Sequence, residues 1–446
     1  MHFTLRKNIT ANLKKPQVQL FLISLAPRLI FYLLMLTQLD AGQMSSYYFD
    51  TSQYVKAAEA ITERFDFDTY GVYTYGPGYP SILALLGYVI SPDPRVLVFI
   101  QILMGAVGSV MLYQFSLKLT GDHRISFVAG MINGLSLESI GLANVLLSET
   151  FFFTILLTGL LVYWRGMETN RIAYYIAAAF IFASAALIRP AVQFFFIVLL
   201  FISLCYTLSG RERTWRSVFV RLRGPLVMSG IIVVVLGSWI GRNASVYQMP
   251  YLSMSGPMGM AKLFCMIKAD LTGTFYGDVY KGFKENLKLV EGVEGHYQET
   301  LSEQARDSLL TVLRQEPTAS IGTFLESVWT SVVSEWGAHY NAFPKLKDKL
   351  RRITFWFFEK RLNYREVALA SIGLIIILMH AKYRIALVLI VIFVYFAFLS
   401  GFTIWQGARI FYPGQLAWTI LAAYLLVFLY NLYNLLARKI RQHNLI

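Results

Sequence analysis

At 446 residues, with 56% hydrophobic and only 15% charged, the chain cannot hide its apolar content inside one soluble core; soluble domains carry roughly 25% charged residues. The formal net charge of +14 would suggest a nucleic-acid partner in a soluble protein, but the positive bias of short cytoplasmic loops accounts for it in a membrane protein. Two cysteines, Cys205 and Cys265, exclude a disulfide framework and a cysteine metal cluster. The composition specifies an all-α polytopic membrane protein with no nucleic-acid partner.

A spanning helix needs about 20 apolar residues. Runs of that kind fall at 17–38, 94–118, 125–144, 150–165, 173–188, 191–208, 225–243, 366–380, 385–402 and 411–433. The first follows a basic start (Arg6, Lys7, Lys14, Lys15) and resembles a signal sequence. It is too long for one and ends in no small-residue cleavage site, so it is expected to stay as an uncleaved span. Tyr79 to Ile90 is too short to cross and is expected to lie in the outer interface. With both termini inside, the inner loops and their edges collect Arg124, Arg165, Arg171, Lys382, Arg384 and the tail residues Arg438, Lys439 and Arg441. They also hold the run Arg211, Arg213, Arg216, Arg221 and Arg223, as the positive-inside rule requires. The same parity places two long loops, 39–93 and 244–365, on the outer face. It divides the chain into a membrane module (1–243), a large outer loop (244–365) and C-terminal helices with a basic tail (366–446). In the second loop, Leu301, Ala305, Leu309 and Leu313 recur at helical spacing between Tyr297 and Arg314, the pattern of a helix packed on a core.

No P-loop, Rossmann fingerprint, His-Glu-x-x-His or Gly-x-Ser-x-Gly is present. The missing P-loop argues against an ATP-driven pump. The chemistry-bearing residues cluster instead at outer span ends. Asp50 follows the first span within Tyr47-Tyr48-Phe49-Asp50-Thr51-Ser52-Gln53-Tyr54. It is either a site carboxylate at the membrane–water boundary or an N-cap forming a capping box with Gln53. The helix expected after it, to Phe65, has Tyr54, Ala57, Ala58, Ile61 and Phe65 on one face and Lys56, Glu59 and Glu63 on the other. Glu149 opens a Phe-rich span behind Ser148, either as a second site acid or as a first-turn acid favoured by the helix dipole. Glu138 is a further candidate, because ionisable groups in or near a span are expensive to bury. Arg189, Arg242 and Arg409 stand at outer span ends, where the positive-inside rule disfavours them. They either capture a phosphate or snorkel to headgroups. Arg28, midway along the first span, is similarly ambiguous, and Lys262 and Lys268 are lesser candidates in the second loop. Six scattered histidines show no helical ligand pair, although His296 and His339 share the outer loop. A divalent cation (Mg or Mn) is compatible, since Mg²⁺ needs only one or two carboxylates.

These motifs in their order give the chain a family resemblance. They are Asp50 with Ser52-Gln53-Tyr54, Gly76-Pro77-Gly78-Tyr79-Pro80, Leu147-Ser148-Glu149 and Leu187-Ile188-Arg189-Pro190. Trp239-Ile240-Gly241-Arg242-Asn243, Ala305 with Gln315-Glu316-Pro317, and Gly407-Ala408-Arg409 with Pro413 complete the series. Together they resemble the GT-C membrane glycosyltransferases, in the branch of dolichyl-phosphate-mannose protein mannosyltransferases and bacterial aminoarabinose transferases. The resemblance implies a GT-C-like bundle of about ten or more spans with outer interfacial helices. It implies a polyprenyl-phosphate sugar donor, inversion at the anomeric carbon and a periplasm-facing site in a bacterial cytoplasmic membrane. Under it Asp50 and Glu149 are the catalytic acids, and Tyr54, Tyr79, Glu138, Arg189, Arg242, Lys262 and Arg409 are candidate substrate-binding residues. Two features depart from the family pattern. Phe49 precedes Asp50 where some relatives carry a second acid, and no large C-terminal soluble domain supports a protein acceptor. A glycolipid, polysaccharide or cell-wall polymer is therefore the expected acceptor. A flippase or transporter of lipid-linked glycans, or another glycan ligase or polymerase, is the alternative.

Overall fold

The computed structural model describes residues 15–209, 215–290, 297–333, 362–402 and 407–443. Among them every regular element is helical. The N-terminal part comprises α1 (Pro16–Leu36), α2 (Ala41–Ser45), α3 (Phe49–Arg64), α4 (Tyr70–Tyr75), α5 (Gly78–Val89), α6 (Pro94–Thr120), α7 (His123–Leu135) and α8 (Leu137–Ala143). Next come α9 (Glu149–Thr169), α10 (Ile172–Ile188), α11 (Phe195–Leu208), α12 (Trp215–Tyr247), α13 (Ser255–Thr272), α14 (Tyr276–Val290), α15 (Tyr297–Gln315) and α16 (Pro317–Val333). The C-terminal set is α17 (Leu362–Met379), α18 (Tyr383–Ser400), α19 (Gly407–Phe411) and α20 (Gln415–His443).

Each predicted span coincides with a helix. Among the described residues seven helical segments are long and apolar enough to cross a membrane, and the bent pair α7–α8 makes an eighth. The two remaining predicted spans are the shorter apolar helices Ile172–Ile188 and Val367–Met379. Over the described residues the chain is an all-α polytopic membrane protein. At 12 residues α5 rises only about 18 Å, too little to cross a hydrocarbon core of about 30 Å.

The bend between α7 and α8 is 58° and pivots on Ser136, whose backbone is extended (ψ 127°) while its hydroxyl accepts from Ser139 N. A break inside a span frees carbonyls that lipid cannot satisfy. Arg28 resolves its own ambiguity here. Fully buried, it donates to Gly134 O (2.8 Å), Ser24 O (2.7 Å) and the Ser24 and Ser139 hydroxyls (both 2.6 Å). A cation at the carboxyl end of a helix is also electrostatically favourable. The arginine therefore stitches a broken span to the first.

The first long loop folds into α2–α5. Helix α3 packs Tyr54, Ala57, Ala58 and Ile61 inward and ends at Phe65, in the left-handed region at φ 54°. The turn after α4 holds Gly76 at φ 108°, where a Cβ would sit 2.5 Å from the Leu187 carbonyl oxygen. A Cβ at Gly78 would lie 2.6 Å from Ile188 N. Only glycine permits both the dihedral and the contact. The close approach seats the first long loop on the end of α10, one residue before Arg189.

The second long loop builds a layer of its own. Leu301 and Ala305 of α15 are buried with Met249, Met254, Ala261 and Leu287; Leu309 and Val312 pack on Leu263 and Ile267. The helical periodicity is thus a packing stripe. Met254 N donates to Tyr73 O at 2.9 Å, joining this layer to α4. Residues 334–361 of the loop, His296 and His339, Arg211 and Arg213, and the basic start before Lys15 lie outside the described residues.

Candidate active site

Four charged groups from four separate parts of the chain meet at one end of the bundle. Asp50 stands in the first turn of α3, Glu149 at the start of α9, Arg189 just past α10 and Arg409 in α19 ahead of the last span. The Arg409 guanidinium bridges the two acids, donating from Nη1 to Asp50 Oδ2 at 2.5 Å and from Nε to Glu149 Oε1. Arg189 Nη1 pairs with the same Glu149 oxygen. All four side chains are at most 13% exposed. Glu149 Oε2 is buried and has no hydrogen-bond partner among the described residues.

The capping expectation for Asp50 is corrected. The N-cap of α3 is Tyr48, without a side-chain cap, and Asp50 does not form a box with Gln53. Its carboxylate turns to Arg409 and to Tyr75, whose hydroxyl donates to Oδ1 at 2.7 Å. The capping box of this loop is Asp40 with Gln43. Ser148 does sit at the N-cap of α9 but forms no cap hydrogen bond; Arg189 Nη1 (3.4 Å) and Tyr54 OH (3.5 Å) reach its hydroxyl instead.

Aromatic side chains wall this cluster. The Tyr54 ring lies 5.1 Å from Tyr75 and 4.8 Å, edge to face, from Tyr79. Burial pushes the Tyr54 phenol up to about 12. Burial and the neighbouring Asp50 carboxylate likewise raise Tyr75, so it remains a donor across the working pH range. Tyr79 is fully buried and its hydroxyl donates to Gln101 Oε1 at 2.8 Å, which directs it into the bundle rather than toward Asp50. Tyr75, one residue ahead of the Gly76-Pro77-Gly78-Tyr79-Pro80 motif, is the residue the sequence reading missed.

The other candidates lie elsewhere. Glu138 accepts from Gln415 Nε2 at 2.5 Å, beside Ser139, which receives Tyr412 OH at 3.1 Å and Arg28. That second polar cluster belongs to the broken span. Arg242 pairs with Asp68, which also accepts from Tyr247 OH at 2.6 Å, and its guanidinium lies 5.0 Å from the Trp239 ring. The Tyr247 hydroxyl first, and then Arg242, hold the Asp68 carboxyl below its usual range. This is a clamp between the first long loop and α12, apart from Asp50. Lys268 lies over the Phe264 ring at 5.9 Å. Lys262 is within electrostatic reach of Asp50 and Arg409; burial lowers its ammonium below the usual lysine range.

The described residues hold no group of three His, Cys, Asp or Glu side chains arranged for a metal ion. Between Asp50 and Glu149, where two carboxylates would offer a divalent cation its ligands, the Arg409 guanidinium already lies. A metal there would first have to displace it, so the arrangement does not fit one.

No protein-family model matches the chain, and no curated protein sequence matches it. Solved structures do. The oligosaccharyltransferase of Archaeoglobus fulgidus in its apo form aligns at TM-score 0.51 and 16% identity, over 95% of this chain and 52% of that one. The same enzyme with zinc and sulfate aligns at TM-score 0.50 and 14% identity, over 94% and 50%. Tethered to an acceptor peptide with the NVT sequon, it aligns at TM-score 0.50 and 14% identity, over 95% and 51%. The chain has the fold of these membrane glycosyltransferases, a GT-C fold. It spans about half the length of the oligosaccharyltransferase chains.

Proposed function

We propose that the protein is an inverting glycosyltransferase, which moves a sugar from a polyprenyl-phosphate donor to a glycan or glycolipid hydroxyl at the outer face of a bacterial cytoplasmic membrane. The observation that carries this reading is the buried bridge from Asp50 through Arg409 to Glu149 and Arg189, set at span ends where a lipid-anchored head group resides. Asp50 takes the proton of the acceptor hydroxyl as that oxygen attacks the anomeric carbon. The bond from that carbon to the phosphate oxygen breaks with its electron pair. The phosphodiester donor thereby becomes a polyprenyl monophosphate with one more negative charge. Fixed cations are worth most where charge develops in the transition state, and Arg409 and Arg189 are the cations placed to supply this. Tyr75 orients Asp50 through its hydrogen bond, and Glu149 Oε2 is an acceptor left for a substrate hydroxyl.

A transporter site lies near the bilayer midplane between repeated halves; a cluster at span ends, under two unrelated outer loops, favours the transferase. A second reading, transfer of a preassembled glycan, draws on the activity named for the structural neighbours. The test is transfer from radiolabelled polyprenyl-phosphate sugars to membrane acceptors, wild type against Asp50→Asn, with a lipid-linked oligosaccharide as a parallel donor. Loss of transfer with intact expression supports the reading. Undiminished transfer by Asp50→Asn removes Asp50 from the chemistry.

A further inference from the structure

Next to Tyr75, which donates to Asp50, and away from the spanning helices, lies a cavity of about 90 Å³ lined by the adjacent Thr74. Its walls come from α4 (Tyr70, Tyr73, Thr74) and from α14 (Tyr280, Phe283, Lys284), closed by apolar residues of the second loop. A water position needs roughly 10–15 Å³ on this measure, so the cavity admits several waters, about the room of one sugar ring. Three observations say what would fill it. Aromatic side chains dominate its polar walls, with Tyr73 edge to face on Tyr70 at 5.4 Å and Lys284 4.7 Å from the Tyr280 ring. Such rings present flat faces for the C–H side of a pyranose. Thr74, 1% exposed, lines the cavity and its hydroxyl has no hydrogen-bond partner; a buried hydroxyl left without one is destabilising until a ligand satisfies it.

The third observation is charge. Lys262, adjacent on α13 to the cavity-lining Ala261, is within electrostatic reach of both Lys284 and Asp50. Neither lysine has an ion-pair partner among the described salt bridges, whereas Arg189 and Arg409 are held by Glu149 and Asp50 and Arg242 by Asp68. Two like charges within reach of each other repel until an anion joins them, and Lys284 presents one of them to the cavity. No spanning helix lines the cavity, so it opens to a substrate arriving from the loops rather than to a lipid phosphate arriving through the bundle.

We propose that this cavity is an acceptor subsite, which takes a sugar ring bearing an anionic group such as a uronate and delivers its neighbour's hydroxyl to Asp50. The proposal rests on the transferase reading and names its substrate class. The probes are methyl β-D-glucuronide and methyl β-D-glucoside, titrated into the full-length protein in nanodiscs with saturation-transfer NMR as the readout. The glucuronide is expected to bind at least tenfold more tightly than the glucoside. Lys284→Gln, at an exposed position, should erase the preference, and Thr74→Val should weaken both sugars while holding or raising the unfolding temperature. Equal binding of the two probes, or a preference that survives Lys284→Gln, overturns the proposal. Farnesyl phosphate serves as competitor: displacement of the glucuronide would assign the anion site to the donor's phosphate and overturn the acceptor assignment. Binding does not depend on turnover, so the two readings fail separately. Glucuronide bound without transfer from any donor sinks the transferase and leaves the cavity, while transfer without glucuronide binding does the reverse.

Discussion

Arg409→Lys isolates what the guanidinium contributes. One planar group supplies two charge-assisted hydrogen bonds, from Nε to Glu149 and from Nη1 to Asp50. A lysine keeps the charge but presents it as a point on a flexible stem and cannot reproduce the fork. It can hold one carboxylate and leaves the other misplaced. Hydrogen bonds to charged groups contribute about 1.5–3 kcal/mol, and a tenfold change in rate corresponds to about 1.36 kcal/mol. Transfer, measured as kcat/KM with labelled donor, is therefore expected to fall about 10- to 150-fold, with the unfolding temperature in detergent nearly unchanged. Arg409→Met should behave differently. It removes one partner from a buried pair, which costs about 3–5 kcal/mol, and should lower stability as well as transfer. If Arg409→Lys transfers within twofold of the wild type, the bridge does not position Asp50 and the mechanism is wrong.

Three other outcomes follow from the same geometry. Chelation with EDTA should leave the transfer rate within twofold, because Arg409 rather than a metal lies between Asp50 and Glu149; a tenfold loss restored by Mg²⁺ or Mn²⁺ would refute this. Burial lowers the Lys262 ammonium, so its charge is present below that depressed pKa and lost above it. Acceptor use should weaken as pH rises through a value under the ordinary 10.4 or so, and Lys262→Arg should shift that alkaline limb upward; an unshifted limb counts against Lys262. Converting Asp50, Glu149, Arg189 and Arg409 together to leucine or methionine should abolish transfer yet leave a folded protein, judged by monodisperse gel filtration, since apolar replacement of buried ion pairs is often neutral or stabilising. Aggregation would make the cluster a structural one.

The spans were legible because lipid imposes one rule, an apolar run of sufficient length, and the sequence states such runs outright. The site was legible in its parts. Asp50, Glu149, Arg189 and Arg409 stand out because each is a charge at an outer span end, where hydropathy and the positive-inside rule both disfavour it or leave it unexplained. Their pairing was not legible, since 260 positions separate Glu149 from Arg409 and 359 separate Asp50 from Arg409. The cap alternative for Asp50 has a local cause. Asp followed three residues later by Gln fits a capping box, and the true box, Asp40 with Gln43, has the same spacing ten residues earlier. Glu138 stands out for its burial cost alone, and Arg28 only as a charge midway along a span. Sequence could not foresee the break at Ser136 that gives Arg28 its carbonyl.

The energetics also bear on why the four charges are there. Two arginines and two acids taken out of water carry a desolvation penalty that their mutual attraction only roughly repays. The packing does not need them, because the Gly76 and Gly78 contacts with Leu187 and Ile188 already fix the first long loop on α10. The Met254–Tyr73 hydrogen bond fixes the second loop on the first. What the cluster adds is a carboxylate with a set direction, held by Tyr75 on one oxygen and by Arg409 on the other. Beside it stands an acid that still has an oxygen without a partner. A bundle built only to persist in lipid would be as stable with leucine at these positions. A site that must hold a base against a lipid-anchored sugar would not work without them.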